Sequence, residues 1–225
     1  LPLGAGISCR TQKPMTTETQ GGVIMKKIIK DAMVLFIITL VAGVLLGLVY
    51  MITKDPIAKQ NEKTKIAAYN SVFSGLDRYE ELDSLDEAQK AVDAEELDGV
   101  TVNEIVKAYD SSDKELGYII TVTDANGYGG DIKMTVGIDS TGTITGLEIL
   151  DISETAGLGM KAKEASFREQ FKGIKADKIT YTKNGKSADN EIDAISSATI
   201  TTKAVTGGVN GALAVYHKLG GAVSE

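Results

Sequence analysis

The longest uninterrupted apolar stretch, Ala32 to Ile52 (AMVLFIITLVAGVLLGLVYMI), has no charged residue over twenty-one positions. As a helix rising about 1.5 Å per residue it spans the roughly 30 Å hydrocarbon core of a bilayer. A cleaved signal peptide has a shorter apolar region of about 7 to 15 residues, followed by a small-residue cleavage site. Here Thr53-Lys54-Asp55-Pro56 follows, so an uncleaved anchor is expected. Pro56 suits the first turn of a helix, and Ile57 to Phe73, rich in Ala, Lys, Gln and Glu, reads as a helical stalk. Residues 78–98 (RYEELDSLDEAQKAVDAEELD) are crowded with acids and predict one exposed helix with its flanks.

From Val102 the period changes to two. VNEIVKAYD, LGYIITVTD, DIKMTVGID and TITGLEILDIS are four β-branched runs punctuated by Gly, Asp and Asn, which predicts an antiparallel sheet. Asp139-Ser140-Thr141-Gly142 supplies a turn between the third and fourth runs, so these two form a hairpin. Ala162 to Phe171 reads as a short helix, Lys178 to Thr182 as another strand, and Ile200 to Leu219 as a long final helix with Val205, Val209, Ala212, Leu213 and Tyr216 on one face. The fold class is α+β: one N-terminal transmembrane helix, then a domain with an antiparallel sheet flanked by helices. The divisions are an N-terminal extension (1–24), since Met25-Lys26-Lys27 looks like a natural start, then the cytoplasmic end and anchor (25–54), a helical stalk with an acidic helix (55–98), and the sheet-bearing domain (99–225).

Charge removes some functions. Residues 1–65 hold nine Lys and Arg against four acids, whereas residues 66–225 hold fifteen against twenty-seven. An acidic domain without tryptophan lacks both the clustered cations and the stacking surface that nucleic acid requires. Cys9 is the only cysteine, so this chain cannot build a disulfide framework, a CxxC zinc site or an iron–sulfur cluster, and no metal site is expected. Lysines flank the apolar span on both sides, so the positive-inside rule leaves its orientation open. His217, the only histidine, lies more than fifteen residues from the start of the final helix and reads as a surface residue; no hydrolytic constellation can be assembled around it.

Three segments fit poorly as plain scaffold. Gly127-Tyr128-Gly129-Gly130, between two strands, has more glycine than a hairpin turn needs and lets the backbone approach a ligand. Glu154-Thr155-Ala156-Gly157-Leu158-Gly159-Met160-Lys161 is a glycine-spaced loop between strand and helix. Asp193-Ala194-Ile195-Ser196-Ser197-Ala198-Thr199 opens the final helix with more hydroxyls than one cap requires. Free amides at a helix N-terminus bind phosphate, and hydroxyls beside them add donors.

Together these motifs resemble the FMN-binding domain found in the G-type component of Rnf-type electron transport complexes and in its relative, the C-type component of the sodium-pumping NADH:quinone reductase. Asp193 to Thr199 looks like that family's flavinylation motif: Asp, two variable residues, Ser or Thr, a small residue, Ala, then the acceptor Thr. The resemblance implies covalent FMN on Thr199 as a phosphoester, made by a separate flavin transferase of the ApbE type. It implies cofactor contacts from Asp193, Ser196, Ser197 and Ala198, from Gly127, Tyr128, Gly129 and Gly130, and from Glu154, Thr155, Gly157, Leu158, Gly159 and Lys161. It further implies a single-pass protein of the cytoplasmic membrane with its N-terminus inside and the FMN domain outside, working with other subunits that couple ferredoxin and NAD to ion transport. Two positions depart from the family pattern: Ser197 stands where glycine is commonest and Ala156 where proline is commonest. The alternatives are a free-standing extracytoplasmic flavoprotein of an extracellular electron transfer pathway, and an anchored binding or adhesion module without redox chemistry.

Overall fold

The structure, a computed structural model, describes residues 18–220; Cys9 and most of the 1–24 extension lie outside the described residues. The chain divides into two compact units, residues 1–59 and 60–225. Helix α1 covers Glu18–Val72 and so begins inside the stretch read as an extension. Pro56 lies within α1 and does not open a new helix. Met25 to Ile52 expose their side chains almost throughout, and the helix is long and apolar enough there to cross a membrane.

The second unit is built on a five-stranded antiparallel meander in the order β1-β2-β3-β4-β5. Its strands are β1 (Arg78–Glu81), β2 (Val100–Tyr109), β3 (Glu115–Asp124), β4 (Ile132–Asp139) and β5 (Ile144–Ile152). The last four match the four alternating runs, and β4 and β5 meet through the expected Asp139 turn, whose carboxylate accepts from the backbone of Thr141 and Thr143. β1 was not expected. Arg78 to Glu81 lies within the acidic stretch read as a helix and its flanks, yet it pairs with Val106 to Tyr109 as an edge strand. Its charged side chains suit an edge, where they discourage pairing with other chains. Helix α2 (Leu85–Ala94) is therefore shorter than that stretch, and it buries Ala88 and Val92.

Both faces of the sheet are covered. On one, the last helix α4 (Thr199–Lys218) lays Val205, Val209, Ala212, Leu213 and Tyr216 into a core with Ile105, Ile120, Val122, Met134 and Val136. On the other, the end of α1 packs Tyr69, Val72 and Phe73 against Val106, Ala108 and Ile119. Two-sided burial is why β3 reads YIITV, a nearly continuous apolar run. Gly137 and Gly146, paired across β4 and β5, leave room for Val72 on this face: a Cβ on Gly146 would fall 2.9 Å from the Val72 Cα.

Lys65, Tyr69 and Glu104 lock this second face. Tyr69 donates its phenol to Glu104 Oε2 at 2.7 Å, while Lys65 bonds Glu81 at 3.0 Å and also pairs with Glu104. Burial alone would lower the Lys65 pKa, but hydrogen bonds to Glu104 and Glu81 outweigh it and the net shift is upward. Burial, then the bond to Glu104, raises Tyr69 as well. Both groups therefore hold their protons more tightly folded than unfolded, where they titrate near 10. Stability should be complete below that pH and fall as the solution becomes more alkaline. Melting curves at pH 8 and pH 11 should show this fall, and Tyr69→Phe should make it shallower.

The segment expected as one helix over Ala162 to Phe171 is three short pieces: a 3-10 turn at Gly159–Lys163, a single α turn, α3 (Ala165–Arg168), and a second 3-10 turn at Glu169–Phe171. The Glu164 backbone, extended at ψ 142°, interrupts the first two. The strand expected over Lys178 to Thr182 is β6 (Thr180–Thr182), and it pairs in parallel with an unexpected β7 (Glu191–Asp193). His217, read as a surface residue, is half-buried and lies 3.6 Å from the exposed Asp177.

Candidate functional site

Ile195 to Ala198 turn sharply into α4. The Ala198 amide donates to Ile195 O, the Ile195 amide donates to Thr202 Oγ1 at 3.0 Å, and Thr202 Oγ1 donates to Ala198 O at 2.9 Å. Thr202 thus binds the turn back onto the helix. The residue at the N-cap is Ala198, which has no capping side chain. Neither Asp193 nor the hydroxyls of Ser196, Ser197 and Thr199 caps α4: Asp193 ends β7 instead, and the first turn of α4 keeps amides available to an anion. Ser197 adopts φ 64°, in the left-handed region that favours glycine. Ser197→Gly should relieve that strain and raise stability by about 0.5–1 kcal/mol, seen as a higher melting temperature.

The other two motifs reach the same place. A cleft of about 510 Å³ is lined by Ser197, Ala198, Thr199, Ile200 and Thr201, by Glu154, Thr155, Leu158 and Gly159, and by Tyr128. Glu154, 9% exposed, joins the two loops, its Oε1 accepting the Tyr128 amide at 2.7 Å. The glycines explain how closely they approach. A Cβ on Gly129 would fall 2.2 Å from Ser153 O, and one on Gly127 would fall 2.2 Å from Gly130 O. Tyr128 (71% exposed), Ile200 (51%) and Leu158 (40%) form an apolar rim. Large apolar side chains left open in this way around one cleft mark a ligand or partner site.

The remaining residues expected at the site stand around this cleft without lining it. Gly127, Gly129, Gly130 and Gly157 shape the loop backbones, with Gly130 and Gly157 at positive φ. Lys161 lies exposed on the 3-10 turn, and Ser196 is exposed ahead of α4. Asp193 is exposed, and its backbone is clamped by Gln170, whose Oε1 accepts the Asp193 amide at 2.7 Å and whose Nε2 donates to Asp193 O at 3.3 Å. A second cleft of about 550 Å³, beside Asp124, Lys178 and Lys203, contains none of the expected residues.

Several contributors escaped the sequence reading. Ile200 and Thr201 line the cleft from the first turn of α4. Asp124 and Asn126 fix the root of the Tyr128 loop. Asp124 Oδ1 accepts both the backbone and the side-chain amide of Asn126, and Asn126 Nδ2 also donates to Asp98 O. Burial pushes the Asp124 pKa up against the pull of those bonds and of Lys203. A sequence signal existed for one of these bonds, since an Asp side chain in a loop commonly accepts from the backbone amide two residues on.

A family model described as an FMN-binding domain matches residues 127–214, and one described as the RnfG N-terminal region matches residues 15–72. The chain is 32% identical over 209 residues to the G component of the Na(+)-translocating ferredoxin:NAD(+) oxidoreductase complex of Acetobacterium woodii, covering 91% of this chain and 99% of that one. It is 32% identical over 173 residues to the G component of the proton-translocating ferredoxin:NAD(+) oxidoreductase complex of Clostridium ljungdahlii, covering 77% and 83%. Among solved structures, the C component of the Na(+)-translocating NADH-quinone reductase of Parabacteroides distasonis shares the fold, with a TM-score of 0.51 at 23% identity over 72% of this chain and 94% of that one.

Proposed function

The chain belongs to the RnfG family, the G components of ion-translocating ferredoxin:NAD(+) oxidoreductase complexes, and from that premise we propose that it is the membrane-anchored electron carrier of such a complex, with FMN held in the Thr199 cleft as a phosphoester of that threonine. The observation that carries the reading is the convergence of three segments, distant in sequence, on one cleft with Thr199 in its wall. The residues fit the group. The volume lies within the usual range for cofactor sites, the uncapped first turn of α4 suits a phosphate, and Tyr128, Leu158 and Ile200 offer apolar contact to a planar ring. When bound, FMN supplies reversible one- and two-electron transfer; the chain supplies tethering, orientation and the electrostatic setting.

A covalent link suits a domain outside the cell, where a flavin that dissociates is lost to bulk solution. We place the N-terminus of α1 inside, the apolar part of α1 across the cytoplasmic membrane and the FMN domain outside. Thr199 opens a helix, and its neighbours Ser197 and Ala198 are small, which supports access by a flavin transferase of the ApbE type. The exposed Asp193, held by Gln170, is then a fixed feature for that enzyme to read. The match to nearly the whole Acetobacterium protein favours a member of a complex, working with the other membrane subunits, over a free-standing flavoprotein.

Peptide mass spectrometry of the native protein tests this. Thr199 Oγ1 replaces one phosphate oxygen, so the peptide holding residues 190–203 should gain one FMN less one water. An unmodified, colourless protein would overturn the reading.

A further inference from the structure

Asparagine followed by glycine occurs three times in the chain, at Asn126-Gly127, Asn184-Gly185 and Asn210-Gly211. Such a pair carries its own reaction, because glycine leaves the next backbone nitrogen unshielded and its backbone free to swing toward the asparagine side-chain carbonyl. The fold decides which pair can use it. Asn126 is held: its Nδ2 donates to Asp98 O at 2.7 Å and to Asp124 Oδ1 at 2.8 Å, and its backbone amide donates to the same oxygen at 2.7 Å. Asn210 is held more firmly. It is buried within α4, its Nδ2 donates to Ile179 O at 3.0 Å, its Oδ1 accepts the Ile179 amide at 2.8 Å, and the helix fixes Gly211 beside it. Asn184 differs from both. It is exposed, in the segment 183–190 between β6 and β7, which is neither helix nor strand. Its backbone amide donates to Thr182 Oγ1 at 3.2 Å, but among the described residues no hydrogen bond holds its carboxamide. Gly185 has φ 93°, and nothing lies within 4 Å of the place a Cβ would take.

We propose that Asn184 is a site of spontaneous deamidation, selected by the fold from the three Asn-Gly pairs. The Gly185 amide nitrogen loses its proton and attacks Asn184 Cγ, the bond from Cγ to Nδ2 breaks, and Nδ2 leaves as ammonia with that proton. A five-membered succinimide remains. Water then opens it at either carbonyl, giving aspartate or isoaspartate, so solvent is the only co-reactant. The ring closes only if the backbone after Asn184 turns freely and the carboxamide is not tied elsewhere, and the segment 183–186 meets both conditions. The product places a carboxylate between Lys183 and Lys186. As isoaspartate it also adds one backbone carbon to the connection between β6 and β7, the strand that ends at Asp193.

The test follows all three pairs in the full chain, purified in detergent and kept at mildly alkaline pH, which favours loss of the attacking amide proton. Cleavage after glutamate separates them, since Glu148, Glu169 and Glu191 lie between one pair and the next. Fragment masses then show which carboxamide has become a carboxylic acid. In the folded chain Asn184 should react roughly tenfold or more faster than Asn126 and Asn210, because a held pair reacts only in the small fraction of molecules that is locally open. In denaturant, where the fold holds none of them, the three rates should come within about threefold of one another. Similar rates in the folded chain, or an Asn184 that stays intact there, overturn the proposal. A preference for Asn184 that persists in denaturant overturns it too, because neighbouring sequence and not the fold would then choose the site.

Discussion

Thr199→Ala is expected to yield a folded, membrane-inserted protein with no covalent flavin. The substitution removes the hydroxyl that the proposed ester requires and little else. Thr199 does not cap α4, since the N-cap is Ala198, and its side chain makes no hydrogen bond within the described residues. Stability should therefore change by only about 0.5 kcal/mol or less. Nearby hydroxyls are poor substitutes: Thr202 is buried and committed to Ala198 O, Thr201 is buried, and Ser196 and Ser197 precede the helix. Intact mass and in-gel flavin fluorescence should both go to background, whereas Thr199→Ser should keep part of the signal. An adduct persisting on the Ala variant would move the acceptor to another residue and sink the assignment.

Gly129→Ala should have the second largest effect, through sterics alone. The added Cβ would meet Ser153 O at 2.2 Å and Ser153 C at 3.0 Å, and both are backbone atoms that cannot rotate aside. The Tyr128 loop and the Glu154 loop would have to separate, which breaks the Tyr128 amide bond to Glu154 and opens the cleft. Overpacking of this kind costs about 1–3 kcal/mol. In a domain of this size that lowers the melting temperature by roughly 2–4 °C per kcal/mol. Flavin content should fall with it. Gly130→Ala is the control: its φ of 122° makes any side chain strained, but nothing lies within 4 Å of the added atom, so the loops stay together. Equal flavin loading in the two variants would mean that the contact between the loops does not shape the site.

The sequence made the large elements and the three glycine- and hydroxyl-rich motifs legible, because each carries a local signal. Alternation marks β2 to β5, twenty-one uncharged residues mark the apolar span, and glycines mark the loops whose backbones meet. Elements without local weight were lost. β1 is RYEE and β7 is EID, too short and too polar to show a period, and both exist because a neighbouring strand supplies the hydrogen bonds. Pro56 carries a strong local signal for a helix start, yet α1 absorbs it. At the site, the segments were readable but their joints were not. Glu154 bonds a residue twenty-six positions away and Gln170 one twenty-three positions away, and no window of sequence contains such a pair. Thr201 looks in sequence like any buried helix residue, and only the fold brings it to the cleft wall.

The position of α4 in the chain sets an order of events. The meander pairs only consecutive strands, so its hairpins can close as the chain is made, without waiting for distant segments. Its apolar face, with Ile105, Ile120, Val122 and Met134, stays uncovered until α4 arrives, and α4 is the last described element. Thr199 opens that same helix. The cleft and the Thr199 hydroxyl at its wall therefore come together only as α4 seals the sheet, so an enzyme that modified Thr199 by reading this geometry would act on finished domains alone. An unfinished chain would meanwhile show a sticky sheet and need holding; a finished one would show a site.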